Sequence, residues 1–197
     1  MDLNDVIKLI ISIVASFAAG GIGSIFTFKA IPTWYATLKK PPKTPPNRAF
    51  GPVWATLYIL MGVSVFLIWQ NGLDSGGARI AFTLFWVQLT LNALWSLVFF
   101  GMKSIRGGVI TIVILWFLIL ATTVASFRVS TLAGALLIPY LIWVTIASYL
   151  NIGVWWLNKP AKQKLTGPNH NRLVSKVSSN PRFIFSFLIK QDLPLPT

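Results

Sequence analysis

Two kinds of side chain in this sequence can do chemistry inside its long apolar runs: amides and large aromatic rings. Trp54, Tyr58 and Met61 stand at i, i+4, i+7 spacing and so share one helical face. Gln88, Asn92 and Trp95 repeat that spacing, and Trp143, Ala147, Leu150 and Asn151 form a third such face. Rings and amides without an ionic partner suit a flat, mostly apolar ligand with a few polar edges. The missing residue types narrow the field further. The acids Asp2, Asp5, Asp74 and Asp192 and the single histidine, His170, all fall at the termini or between apolar runs, and there is no cysteine. Acid–base and nucleophilic catalysis need such groups in a site, and metal sites draw on the same residues. We therefore expect no metal, no acid–base or covalent catalysis, and no ion-coupled transport, which uses buried ionisable residues.

Helices must carry those faces, and the composition says where they lie. The 197 residues are 55% hydrophobic and only 11% charged, against about 25% charged in a soluble domain. Five apolar runs can be marked, at about Val6–Phe28, Ala49–Gln70, Ile80–Phe100, Gly108–Phe127 and Leu132–Leu157. Each is near the roughly 20 residues that cross a bilayer as helix. The expected fold is an all-α membrane protein, a bundle of five transmembrane helices over residues 1–158, followed by a basic, disordered tail over 159–197. The tail's one apolar patch, Phe183–Ile189, is too short to span. Short connections after the second, third and fourth runs make consecutive helices antiparallel. No small-residue cleavage site follows the first run, so it reads as a retained helix. No internal repeat supports an inverted-repeat transporter.

The net charge of +13 lies between and after the apolar runs, which fits the positive-inside bias of membrane loops and not a nucleic-acid-binding face. Lys8, Arg79 and Arg128 fall on one side. Lys29, Lys39, Lys40, Lys43, Arg48, Lys103, Arg106 and the tail fall on the other. The basic side is expected to be cytoplasmic, with the N-terminus outside, in a bacterial inner membrane. On that side the segment from Trp34 to Tyr58 holds Pro41, Pro42, Pro45, Pro46 and Pro52. It reads as a stiff basic lid, and the three polar-aromatic faces are expected beneath it. Periodicity leaves two readings of those faces open: a ligand pocket, or interfacial rings and amides that only pack helices. Trp69, Trp155 and Trp156 read as belt residues, and Trp86 and Trp116 as rings that face lipid or the bundle. Ala15, Ala19 and Gly23 form a small-residue stripe that serves either internal packing or a dimer contact. Pro139 is expected to kink the fifth helix.

Four sequence blocks stand in a recognisable order. W-Y-x-x-L-x-K-P is Trp34, Tyr35, Leu38, Lys40 and Pro41. P-P and then G-P-V-W-x-x-L-Y are Pro45, Pro46, Gly51, Pro52, Val53, Trp54, Leu57 and Tyr58. Q-L-x-L-N-x-x-W with F-F-G is Gln88, Leu89, Leu91, Asn92, Trp95, Phe99, Phe100 and Gly101. P-Y-L-x-W and A-x-x-L-N are Pro139, Tyr140, Leu141, Trp143, Ala147, Leu150 and Asn151. From Trp34 to Asn158 the chain resembles the TspO/MBR family of tryptophan-rich sensory proteins, which includes the translocator protein, or peripheral-type benzodiazepine receptor.

The resemblance implies a five-helix bundle, often a homodimer, that binds porphyrins such as protoporphyrin IX or haem between its helices under the first loop. It requires no cofactor for a reaction of its own. The ligand-binding residues expected here are Trp34, Pro46, Trp54, Tyr58, Gln88, Asn92, Trp95, Trp143, Ala147 and Leu150. A sensory or regulatory role comes first. Transport of porphyrin or lipid, and light-dependent porphyrin breakdown at Trp54 and Trp143, are the alternatives; beyond that light-driven reaction no enzyme activity is expected. The chain departs from the family in three places. Lys43 stands where a lid tryptophan is usual. Ile152 and Trp156 interrupt the cholesterol-recognition segment, so no sterol binding is expected. Thr83 and Val87 replace the glycines of a helix-dimer motif.

Overall fold

A computed structural model describes residues 2–159 of the chain. The tail, with its expected disorder, lies outside the described residues. Helix α1 spans Leu3–Ala30, α2 is a single turn at Trp34–Thr37, α3 spans Asn47–Gln70, α4 Gly76–Ser96, α5 Ile105–Val129 and α6 Thr131–Leu157. The five long helices are each long and apolar enough to cross a membrane. Each contains one of the expected runs and extends it by about a turn or less, the third run, Ile80–Phe100, being completed by the turn Leu97–Gly101 that follows α4. The protein is an integral, multi-pass membrane helix bundle.

The helix starts follow from short polar side chains. Asp2 accepts from the Asp5 amide at 2.8 Å, and Ser75, Ser104 and Ser130 accept from the amides three residues on. Each satisfies one of the amides that a helix start leaves bare. Two features were not foreseen. The lid contains the α2 turn, and α4 runs directly into a π-helical turn at Leu97–Gly101. Pro139 sits inside α6, which continues through it to Leu157.

Packing closes a ring in the order α1, α3, α6, α5, α4, and back to α1. Helix α1 therefore stands between α3 and α4, although these two are joined by the short turn from Asn71 to Ser75. The core along the axis holds Met61, Val65, Phe85, Ile112, Leu115, Ile119, Leu137 and Tyr140, all sealed from solvent. The outward faces carry Ile25, Ile110, Phe117 and Ile142 at more than half exposure, as befits a lipid-facing surface. Helix backbones approach closely at glycines. A Cβ on Gly62 would meet the Ile13 backbone at 2.8 Å, and one on Gly23 would meet Ser96 Oγ at the same distance. Gly23 thus serves contact inside the bundle, and Ala19 also packs inward against the core. A direct bond from Ser64 Oγ to the Ala133 carbonyl at 2.8 Å ties α3 to α6.

Candidate functional site

The amides of α4 bond within the bundle, apart from Gln88 Nε2, which is buried without a partner. Tyr58 donates to Asn92 Oδ1, Asn92 Nδ2 donates to the Tyr140 hydroxyl, and that hydroxyl donates to Gln88 Oε1, each at 3.0 Å. All four residues are buried. The chain of bonds links α3, α4 and α6 across the middle of the ring, where an unpaired polar group would be costly.

One end of this chain opens on a cavity of about 380 Å³. That size lies within the range of small-molecule sites. Helix α3 contributes Phe50, Trp54 and Tyr58, the end of α4 contributes Trp95, and α6 contributes Trp143, Ala147, Leu150 and Asn151. The π turn places Phe99 and Phe100 on the wall as neighbours, a local irregularity often found at functional sites. Helix α1 supplies the facing wall with Phe17, Gly20, Gly21, Gly23, Ser24, Thr27 and Phe28. The glycines make room by what they lack: a Cβ on Gly20 would drive into the Tyr58 ring.

The rings are ordered by their neighbours. Trp54 stacks on Tyr58 at 5.5 Å, Trp95 lies nearly parallel to Phe99 at 5.6 Å and 8°, and Trp143 meets Phe50 edge-on at 5.8 Å. Such pairs fix ring planes beyond what burial alone does. Three polar atoms on this wall are buried without a partner: Trp95 Nε1, Trp143 Nε1 and Asn151 Oδ1. Buried polar groups are ordinarily bonded, so these two donors and one acceptor are exceptions that cluster in residues of the cavity wall. Among the described residues no charged side chain lines the cavity, and no cluster of metal-ligating residues exists.

The exposed lining residues Gly21 and Phe28 on α1, and Asn47 and Gly51 on α3, set the opening between these two helices near the lid. The lid itself is fastened over the ends of α4 and α6. Trp34 packs edge-on against Phe99 at 5.4 Å, and Tyr35 against Phe100 at 5.7 Å. Burial pushes the Tyr35 hydroxyl above the ordinary phenol range, and Lys40 lies over its ring at 4.7 Å. Pro41 is buried against Gly153, where a Cβ would collide with the proline ring. Lys43 adopts a left-handed backbone, φ 65°, and is exposed; it does not reach the cavity.

Of the ten expected site residues, the structure brings Trp54, Tyr58, Trp95, Trp143, Ala147 and Leu150 onto one cavity wall. Trp34, Pro46, Gln88 and Asn92 are not on it. Trp34 supports Phe99 from behind, Pro46 caps α3, and Gln88 and Asn92 reach the cavity only through Tyr58. Sequence reasoning missed Asn151 as a lining polar group, although it stands on the face that was marked. It also missed the whole contribution of α1, for which the only signal was the crowding of Gly20, Gly21 and Gly23. Trp116 is no lipid-facing ornament: its Nε1 donates to Thr145 at 2.8 Å. Trp86 packs on Phe82 and Phe85.

The model of the TspO/MBR family matches residues 12–157. The tryptophan-rich protein TspO of Archaeoglobus fulgidus is 42% identical over 154 residues, covering 78% of this chain and 99% of that protein. Protein CrtK of Rhodobacter capsulatus is 40% identical over 153 residues, 78% of this chain and 93% of its own length. The translocator protein of Homo sapiens is 38% identical over 135 residues, 68% of this chain and 80% of its own.

Proposed function

The chain belongs to the TspO/MBR family, and on that footing we propose that it binds a tetrapyrrole in the α1–α3–α4–α6 cavity and serves as a sensor or regulator. The observation that carries this reading is the cavity wall itself. Its broad rings, Trp54, Trp95 and Trp143, line a space that has no charged side chain on its wall among the described residues. A flat macrocycle offers those rings a face, and its propionates have no cation inside to meet. They would point to the mouth, where Lys29 and Arg48 follow the lining residues Phe28 and Asn47 in sequence. The lining holds no histidine or methionine. Metal-free protoporphyrin IX fits that set directly, and haem would be held by its faces and edges without such axial ligation.

The test is a titration of the purified protein with protoporphyrin IX, read by quenching of tryptophan fluorescence. Saturable quenching, weakened by at least tenfold in a Trp95→Ala, Trp143→Ala double variant, supports the site. Unchanged affinity in that variant removes it.

The Trp54–Tyr58 stack favours a second reading, light- and oxygen-dependent breakdown of the bound porphyrin, because an electron-rich pair lies against the proposed macrocycle. Under illumination the porphyrin absorption bands would fade faster with protein than without, and Trp54→Phe with Trp143→Phe would abolish the difference. Driven transport is the weakest reading, since among the described residues no carboxylate, histidine or cationic side chain lines the cavity to couple it to an ion gradient. We place the lid and the cations around it on the cytoplasmic side of a bacterial inner membrane, by the charge bias of the loops. A homodimer is part of the same proposal.

A further inference from the structure

A second hollow, of about 260 Å³, lies between α3 and α6. It is on the outside of the ring, where Thr56, Pro139 and Ile142 are exposed. Of its two polar lining groups, the Thr56 hydroxyl already donates to the Pro52 carbonyl at 3.1 Å, and the Trp143 indole N–H is sealed from the surface. The cleft therefore offers an occupant almost wholly apolar surface. It is continuous with the lipid-facing belt: Ile59, Ile138 and Ile146 beside it are 47%, 41% and 40% exposed. It also lies near the middle of both helices, at hydrocarbon depth. A headgroup has nothing to bind here, whereas a hydrocarbon chain finds an apolar slot of matching polarity.

Trp143 lines this cleft and the inner cavity at once. On the cavity side the indole meets Phe50 edge-on at 5.8 Å, and its Nε1 has no hydrogen bond. Packing alone holds the ring, so whatever fills the cleft forms its second support.

We infer that the α3–α6 cleft seats an acyl chain of the surrounding bilayer, and that Trp143 is the shared wall through which its occupancy shapes the inner cavity. Filling the cleft from the lipid side holds the indole inward, and leaving it open lets the ring turn outward. The inference goes beyond ligand binding and does not need the porphyrin reading.

The test reconstitutes the full chain in phosphatidylcholine vesicles whose acyl chains carry bromine at mid-chain, a contact quencher of tryptophan. The share of quenching due to Trp143 is the difference between the parent chain and a Trp143→Phe variant. A Thr56→Phe, Leu60→Phe background fills the cleft with protein and must lower that share at least threefold. If that background fails to fold, Ile142→Ala, which widens the cleft, must raise the share instead. Equal Trp143 quenching with the cleft filled, or with it widened, overturns the acyl seat. The shared wall is read separately. The chain has no cysteine, so Ala147→Cys reports the cavity by its rate of reaction with a small maleimide. That rate must differ at least threefold between the natural and filled clefts, and an unchanged rate overturns the role of Trp143. Disulfide-linked dimers formed by Thr56→Cys in the membrane would show a second copy in the cleft and also overturn the proposal.

Discussion

Asn158 grips Lys39 by both of its backbone groups: its Oδ1 accepts from the Lys39 amide at 3.0 Å, and its Nδ2 donates to the Lys39 carbonyl at 2.9 Å. The same Nδ2 donates at 2.7 Å to the Val154 carbonyl, which also accepts from the Asn158 amide at 3.1 Å at the end of α6. One side chain thus caps a helix and pins the lid, more than a hundred residues away in sequence. Lid position is therefore a property of the α6 terminus as much as of the prolines.

Removing that grip should loosen the lid without unfolding the bundle. Asn158→Ala loses two bonds to Lys39, each contributing about 0.5–1.5 kcal/mol net. We expect faster hydrogen exchange at the Lys39 amide, by about tenfold, and earlier tryptic cleavage after Lys39 or Lys40. Asn158→Asp keeps the acceptor and should lie between the two. Equal exchange rates in all three proteins would deny the clamp.

The contact between Pro41 and Gly153 makes a steric prediction. Gly153→Val puts branched carbon where the Pro41 ring now rests, so the lid must lift. The variant should show tryptic sensitivity like that of Asn158→Ala. Its thermal midpoint should fall, while Gly72→Ala, which has open space but φ +82°, should cost stability through backbone strain alone and leave the lid resistant.

Asn92 and Trp143 should separate stability from binding. Asn92→Leu leaves the buried Tyr58 hydroxyl without its acceptor and the Tyr140 hydroxyl with Gln88 as its one remaining partner. Bonds of this kind between membrane helices contribute about 0.6 kcal/mol on average and up to about 1.7, so a loss of about 1–2 kcal/mol is expected in bicelle unfolding. Its porphyrin affinity should fall by less than threefold. Trp143→Ala should do the reverse, with a large loss of affinity and a small loss of stability.

Gly20 tests the wall that α1 supplies. Gly20→Ala pushes its methyl into the Tyr58 ring and narrows the cavity. Protoporphyrin IX should bind about tenfold more weakly, about 1.4 kcal/mol. Gly21→Ala, with nothing within 4 Å of its new carbon, should bind nearly as the parent chain does.

Charge at the mouth should matter for anionic porphyrin only. Lys29→Glu with Arg48→Glu should weaken protoporphyrin IX severalfold at low salt and less at high salt, as exposed charges are screened. The dimethyl ester, which carries no propionate charge, should be indifferent to both changes. An equal loss for acid and ester would place the propionates elsewhere.

Much of this was legible in the residues. Hydrocarbon thickness sets span length, so five apolar runs had to become five long helices, and a period of 3.6 put Trp54 with Tyr58 and Trp143 with Ala147 and Leu150. The residue types that were missing from those runs set the expectation of no acid–base chemistry. What the residues left open were choices among partners. An amide on a helix face can meet a ligand or a neighbour, and the ring order placed Tyr140 and Tyr58 within reach of Asn92, so neighbours took it. A glycine in a membrane helix can admit another backbone or leave a space. Only the insertion of α1 between α3 and α4 decided that Gly23 admits the Ser96 side chain and Gly20 the Tyr58 ring, while Gly21 leaves a space. A cavity wall made partly of absent side chains has no periodic signature, and for that reason it appears only once the helices are packed.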